Sequence, residues 1–511
     1  MDIQKQRELL TYIYKHYDVE KWTVNGIQIW PRVRVNLFVN LSVERTNVNK
    51  QKKCKKNFIA TKLHLYGIVY RLRSVYEAGI ILLANDRKKI PQEEDVAIVG
   101  YHHLRNFCLP SGQYYNVYMD PIVDLCKINN WKVKYFERKI FNGKGFRTPE
   151  YSPSILLSIP IMFFREKAKF YRIIKKKRQV DISREYYVFC EDMIKRGINP
   201  KYLYSEKEII EYYYFVQFTK DYFSNAINRQ TCKMGLCVDS ASDVMEAFVL
   251  ACRECNIPTV EIQHGVICDD HCAFANFKCS DGYNTLPDYF FCWDNESAEI
   301  MSKWTDKSRM HNVKISGNLW HLLWKEDKFP YKDMYMEKMK GILNNYGDYK
   351  DSKCFLISLQ GDNISFPKFL YDVIAKEDRC FFIVRLHPTT SVNETRRIER
   401  KCEQFKHVFF DNGSDIPVMM WYFFIDANIT MNSTIIKECA WWGIPSISVD
   451  VEESAYEMYK IEKEHGLLYV AHNGEELIGL VKSIHKDYPI KLTSVKEYTN
   501  CISSVMRDKM R

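Results

Sequence analysis

No stretch of the 511-residue sequence reaches the roughly eighteen uncharged apolar residues that a membrane span needs. The opening residues, Met1-Asp-Ile-Gln-Lys-Gln-Arg7, lack the apolar core of a signal peptide, so the expected location is the cytoplasm. Neither a Gly-x-x-x-x-Gly-Lys-Ser/Thr loop nor a Gly-x-Gly-x-x-Gly turn is present, which removes the main support for an ATPase or an NAD-dependent enzyme. Cys268, Cys272 and Cys279, with His264 and His271 nearby, lack paired Cys-x-x-Cys spacing, so no metal is expected. The basic run Lys50-Gln-Lys-Lys-Cys-Lys-Lys56 comes without a recognition motif and reads as an exposed loop, not a nucleic-acid site.

What is present is an ordinary globular composition in a chain too long for one core, so two or more domains are expected. The 17 cysteines are scattered through apolar segments in a chain too large to need staples, which suits thiols packed as small hydrophobes in a reducing compartment. Net charge of +10 permits an anionic ligand or membrane surface without demanding either. Ser154-Ile-Leu-Leu-Ser-Ile-Pro-Ile-Met-Phe-Phe164, running into Arg165-Glu-Lys-Ala-Lys169 and Lys175-Lys-Lys-Arg178, fits a segment lying on an anionic bilayer. The favoured alternative is a buried element followed by a solvated basic face.

Along the chain, short apolar runs alternate with helical periodicity. Residues 79–84, 96–100 and 131–137 read as strands, and residues 183–227 as helices. Then come strands ending in Asp239, in Gln263-His-Gly265, in Trp293 and in Gly317-Asn318, with helices over 242–255 and 297–304 of the length a parallel crossover needs. Residues 320–353 hold no clear strand. A second α/β rhythm follows: Cys354-Phe-Leu-Ile-Ser-Leu-Gln360 before Gly361, Phe381-Phe-Ile-Val-Arg-Leu-His-Pro388, residues 408–411, Phe424-Ile-Asp-Ala-Asn-Ile-Thr-Met-Asn-Ser-Thr434 and residues 446–450. The expected organisation is an α/β domain over 1–320 with helical insertions, a linker over 321–350, a second α/β domain over 351–485, and a C-terminal helix over 486–511 crossing back to the first domain. Both domains are Rossmann-like and doubly wound, with a cleft between them.

Taken in order, Gln263-His-Gly265, Gly317-Asn318, Arg385-x-His-Pro388, and Asn432-Ser-Thr434 followed by Glu438-Cys-Ala-x-x-Gly-Ile-Pro445 resemble the GT-B glycosyltransferases that make bacterial surface polysaccharides. The groups resembled are the capsule-synthesis Kdo transferases, the bacterial sialyltransferases and the related glycerophosphotransferases. The likeness covers residues 236–469. It implies a metal-independent transferase, without a resident cofactor, that moves a sugar from a nucleotide-activated donor to a glycan or lipid-linked acceptor. A CDP-glycerol-type phosphotransferase and a non-catalytic nucleotide- or carbohydrate-binding protein remain open alternatives. No Asp-x-Asp pair implies a metal-dependent transferase of the other common fold, and the acid-acid-Gly motif of the sialyltransferases is missing from its place.

The resemblance makes His387 a donor-phosphate ligand with a catalytic role, neutralising leaving-group charge once protonated, and Glu438 a ribose ligand. Arg385 shares His387's strand face, and either contacts phosphate or pairs with a carboxylate inside the domain. The hydroxyls of Ser433 and Thr434, with Asn432 and Gly361 beside them, face a donor phosphate at a helix start, or Asn432 or Ser433 simply caps that helix. The general base that takes the acceptor proton is expected from the first domain, with Asp239 the first candidate and His264 the second. Helix capping and a structural hydrogen bond are their respective alternatives.

Overall fold

A computed structural model of the protein describes residues 3–48, 93–105, 107–138, 148–174, 180–347, 352–360, 367–387, 390–413, 416–450 and 454–508. The strand expected at 79–84, the basic runs at 50–56 and 175–178, Gly361 and Pro388 lie outside the described residues. The apolar runs form strands buried along their length, as expected for sheets covered on both faces.

In the first domain these strands are β1 (Val96–Tyr101), β2 (Val133–Arg138), β3 (Ile155–Leu156), β4 (Met234–Cys237), β5 (Thr259–Ile262), β6 (Tyr289–Cys292) and β7 (Asn312–Ile315). All pair in parallel, in the spatial order β3-β2-β1-β4-β5-β6-β7. The second domain has β8 (Cys354–Ser358), β9 (Phe381–Arg385), β10 (Val408–Asp411), β11 (Ala427–Thr430), β12 (Ser446–Ser448) and β13 (Leu468–Val470). They are again all parallel, in the order β10-β9-β8-β11-β12-β13. Both sheets therefore follow the 3-2-1-4-5-6 winding of the Rossmann fold, the first with a strand added at its edge. The order reverses between β1 and β4 and between β8 and β11, which opens a crevice at the carboxyl ends of those strands.

One local feature departs from the expected pattern. The strand read from Phe424 starts at Ala427, because the N–H groups of Phe424 and Ile425 turn back to the Trp421 carbonyl at 2.9 and 3.0 Å, closing the short helix Val418–Trp421. The crossover from β5 to β6, residues 263–288, is an extended loop. The N-terminal segment packs on it. Glu20 accepts from the backbone N–H groups of Ser280, Asp281 and Gly282, and Gln28 exchanges hydrogen bonds with Asn284 at 3.1 and 2.6 Å. The sixteen described cysteines are all free, and most are buried.

After β13 the chain returns to the first domain. Thr493 donates to the Ser316 carbonyl at 2.7 Å, and in helix Val495–Asp508 Tyr498 packs edge-on against Phe291 of β6 at 5.8 Å.

The two domains meet along the carboxyl edges of their sheets. Helix Ile435–Ala440, which follows β11, is pressed against the first domain through Lys437. The ammonium group, 2% exposed, lies 2.9 Å from Asp294 and 2.7 Å from Glu296, just past β6, and 3.5 Å from Glu462 of its own domain. Trp441 meets Trp293 edge-on at 5.6 Å. Removing this cation would leave three carboxylates crowded together at the interface. Lys437→Ala is therefore expected to lose about 3–5 kcal/mol in equilibrium urea unfolding; an unchanged midpoint would refute this role for the interface.

Candidate functional site

At the first domain's switch point, β4 ends and the chain turns through Asp239, whose φ of +60° is a left-handed conformation that aspartate tolerates better than most residues. Its carboxylate accepts from the hydroxyl of Tyr101, the last residue of β1, at 2.9 Å. The helix Asp243–Glu254 that follows has Ser242 at its cap position, so capping is not what Asp239 does. Burial raises the Asp239 pKa; His264, Tyr101, Arg138 and Arg32 pull the other way. His264, past the end of β5, is held below its ordinary pKa by burial, with the Asp239 charge opposing. Its Nδ1 is buried and makes no hydrogen bond among the described residues.

Beneath this pair, Ser240 donates its N–H to Glu261 at 3.2 Å and its hydroxyl to the other carboxylate oxygen. Burial pushes the Glu261 pKa up to about 8, so it is a neutral acid at physiological pH. Asp243 behaves oppositely. Burial acts to raise its pKa, but Arg32, Arg165 and Arg138, at 3.8, 2.7 and 3.4 Å, keep it below the usual carboxylate value.

In the second domain the loops after β8 and β11 are tied across the switch point, where the Gln360 amide donates to the Asn432 side chain at 2.9 Å. Ser433 and Thr434 are half-buried and lead into a helix of six residues, and Thr434 at the cap position makes no side-chain cap bond. His387 is half-buried past the end of β9, where its carbonyl accepts from the Thr390 N–H at 2.9 Å. Arg385 takes the second of the two roles open to it. It pairs with Asp411 and donates to the carbonyls of Ile416 at 2.8 Å and Gly413 at 3.2 Å, so it organises the loop after β10.

Glu438 is not a surface residue. It accepts from the Tyr422 hydroxyl at 3.1 Å and lies 3.4 Å from Nε2 of His321 in the first domain. Trp442 donates its indole N–H to Nδ1 of His321 at 3.2 Å, so the His321 proton sits on Nε2 and faces Glu438. Burial works to raise the Glu438 pKa, but His321 and Tyr422 hold it below the ordinary value. Tyr118 joins the two halves. Its hydroxyl donates to the His264 carbonyl at 3.1 Å and feels the Glu438 charge, and burial and that charge both raise its pKa.

The structure thus gathers Asp239 and His264 on one side and Glu438 on the other, through Tyr118. Asn432, Ser433 and Thr434 sit at the second switch point, and Arg385 is engaged within its own domain. Tyr101, Tyr118, His321 and Glu261 were not singled out in the sequence. Two of them left a signal there, since Tyr101 ends an apolar strand and Glu261 is an acid in the middle of one. Among the described residues no group of three or more His, Cys, Asp or Glu side chains is placed to hold a metal ion.

Two Rossmann-type domains joined along their carboxyl edges make this a GT-B fold. No family model matches the sequence, and a search of curated proteins finds no match. Among solved structures the fold is similar to UDP-GlcNAc 2-epimerase from Methanocaldococcus jannaschii, at 10% identity and a TM-score of 0.48 over 81% of this chain and 99% of that one. It is similar too to UDP-GlcNAc 2-epimerase from Neisseria meningitidis bound to UDP-GlcNAc (12%, 0.46, 81% and 99%). The wall teichoic acid polymerase TagF is a third such structure (12%, 0.42, 88% and 90%). Likeness at this level assigns no reaction.

The Glu261 environment sets a pH dependence. With its native pKa at about 8 and an ordinary unfolded value, the native state keeps a proton that the unfolded state gives up, so stability falls as pH rises towards 8. Between pH 6.5 and 8, Glu261→Gln is expected to gain on the wild type by about 1.4 kcal/mol per pH unit in urea unfolding. Parallel curves for the two proteins would show that Glu261 is ionised.

Proposed function

We propose that the protein is a glycosyltransferase that moves a sugar from a nucleotide-activated donor to a hydroxyl of a glycan or lipid-linked acceptor, in the synthesis of a surface polysaccharide. The observation that carries this reading is the apposition of two switch-point crevices, with buried titratable groups on the first-domain side and a polar strand-to-helix turn on the other. In the proposed reaction the acceptor oxygen attacks the anomeric carbon, the bond from that carbon to the donor phosphate breaks, and the nucleoside phosphate leaves with the electron pair. Asp239 takes the acceptor proton, with His264 beside it as the second candidate. Burial raises the Asp239 pKa, which makes its carboxylate a stronger base, and lowers that of His264, which favours its neutral, proton-accepting form. His387, Ser433 and Thr434 face the donor phosphate, and Glu438 the donor ribose.

Assays with CMP-, UDP-, GDP- and CDP-linked donors test the reading. Asp239→Asn is expected to lower kcat by about 10²–10⁴-fold with little change in donor affinity. His387→Ala is expected to raise the donor KM. If no nucleotide shifts the melting temperature and His387→Ala changes nothing, the reading fails; turnover of CDP-glycerol alone would move the assignment to phosphoalcohol transfer.

A lipid-linked acceptor also fits a contact with an anionic membrane. Among the described residues no helix is long and apolar enough to cross a membrane. Helix Ser158–Ile174, however, exposes Phe163 (61%), Phe170 (59%) and Ile174 (57%) at i, i+7 and i+11, with Lys167 on the same face. We assign this face to peripheral binding, with the apolar side chains entering the headgroup boundary and the basic ones meeting lipid phosphates. In vesicle sedimentation, Phe163→Glu with Phe170→Glu is expected to abolish binding to phosphatidylglycerol-containing vesicles. Equal binding by wild type and variant would remove the membrane from the proposal.

A further inference from the structure

A second cavity, of about 650 Å³, is lined entirely by first-domain residues. It lies between the N-terminal helices Ile3–His16 and Trp30–Val48, the extended loop after β5, and helix Asn295–Thr305. A volume of this size suits a small ligand. Its lining charge is lopsided, with five basic side chains against Asp269 and Asp270. Both acids already have a cation: Arg7 grips Asp270 with two bonds of 2.6 and 2.7 Å, and Lys303 pairs with Asp269. Lys278 is held by the carbonyls of Tyr14 and Tyr17 at 3.1 and 3.0 Å.

Arg34 is different. It is 2% exposed, its Nη2 donates to the Ala275 carbonyl, and its guanidinium lies 4.4 Å from the centre of the Phe277 ring. Nε and Nη1 have no hydrogen-bond partner among the described residues. The Tyr14 hydroxyl, also buried against the cavity, has none either. A guanidinium does not shed its proton, so burial leaves these donors charged and unsatisfied, a state that an incoming anion relieves. The same lining carries Gln6, Thr11 and Asn276, whose amide and hydroxyl groups are of the kind that hydrogen-bond a sugar's hydroxyls.

We propose that this cavity binds an anionic saccharide, whose carboxylate or phosphate accepts from Arg34 and the Tyr14 hydroxyl while Lys307, exposed at the rim, adds attraction. The proposal needs no assumption about the donor site, since the cavity shares none of its residues. Titration calorimetry on the full chain tests it, with D-glucuronate, D-glucose 6-phosphate, D-glucose and inorganic phosphate as probes. Glucuronate or glucose 6-phosphate is expected to bind at least about tenfold more tightly than either glucose or phosphate; which of the two wins identifies the anion.

Arg34→Gln is expected to weaken that binding by about tenfold or more, and Lys307→Glu by about threefold. Because Lys307 is exposed, Lys307→Glu supplies the test even if Arg34→Gln does not fold. Binding of glucose as tight as that of the acidic sugars, binding of phosphate alone as tight as either, or no loss in the folded variants would each overturn the proposal. Loss of nucleotide-donor binding leaves it standing.

Discussion

The juxtaposition of the two domains depends on one buried cation. Lys437 projects from the helix after β11 into a nest of carboxylates supplied by both domains, and no other described side chain links Asp294, Glu296 and Glu462. Burial alone would drive an ammonium group to give up its proton, but three acids around it outweigh that and raise its pKa. The helix carrying Lys437 also carries Glu438, so the ion pair that joins the domains also sets where Glu438 meets His321. Any rotation of one domain on the other must separate these charges, which gives the interface a defined register that apolar packing of Trp293 on Trp441 would not impose by itself.

Much of this architecture was legible in the chain, because parallel strands announce themselves. A run such as Cys354-Phe-Leu-Ile-Ser358 is apolar throughout, since both faces of the sheet are covered, and the polar residues that end such runs lie at the carboxyl edge where ligands bind. That rule puts Asp239, His264, His387 and Asn432 just past strand ends, and each follows a strand in the structure. The long crossover at 263–288 was less legible, because its partner is remote: the residues that satisfy it, Glu20 and Gln28, lie some 250 positions away and form no local pattern. Arg385 shows a different limit. Strand periodicity gave the face of the side chain but not its partner, and Asp411 on the neighbouring strand, opposite it in register, was the nearer carboxylate.

The residues that escaped notice share a cause. Tyr118 and His321 matter because they touch both halves of the molecule, and contacts between domains leave no periodic trace in either. Lys437 would read from the sequence as the exposed polar face of a short helix; only docking of the first domain turns it into a buried cation held among three acids. Arg34 belongs to the same group, since a basic residue in a helix of mixed character is ordinary until the loop at 269–278 closes over it.

The electrostatics of the first-domain crevice follow from one imbalance. Burial penalises charge of either sign, so it raises the Asp239 carboxyl and lowers the His264 imidazole. In water the proton affinities of the two groups are well separated, with the imidazole the stronger base. Burial narrows that gap from both sides, so a proton arriving in the crevice has two acceptors of closer strength. Glu261, protonated below them, adds no negative charge, which keeps Asp239 from being pushed higher still. Asp243 retains its charge only because three arginines surround it. The crevice therefore keeps a fixed negative charge at the helix start beneath it, while at its mouth burial works against charge on Asp239 and His264 alike.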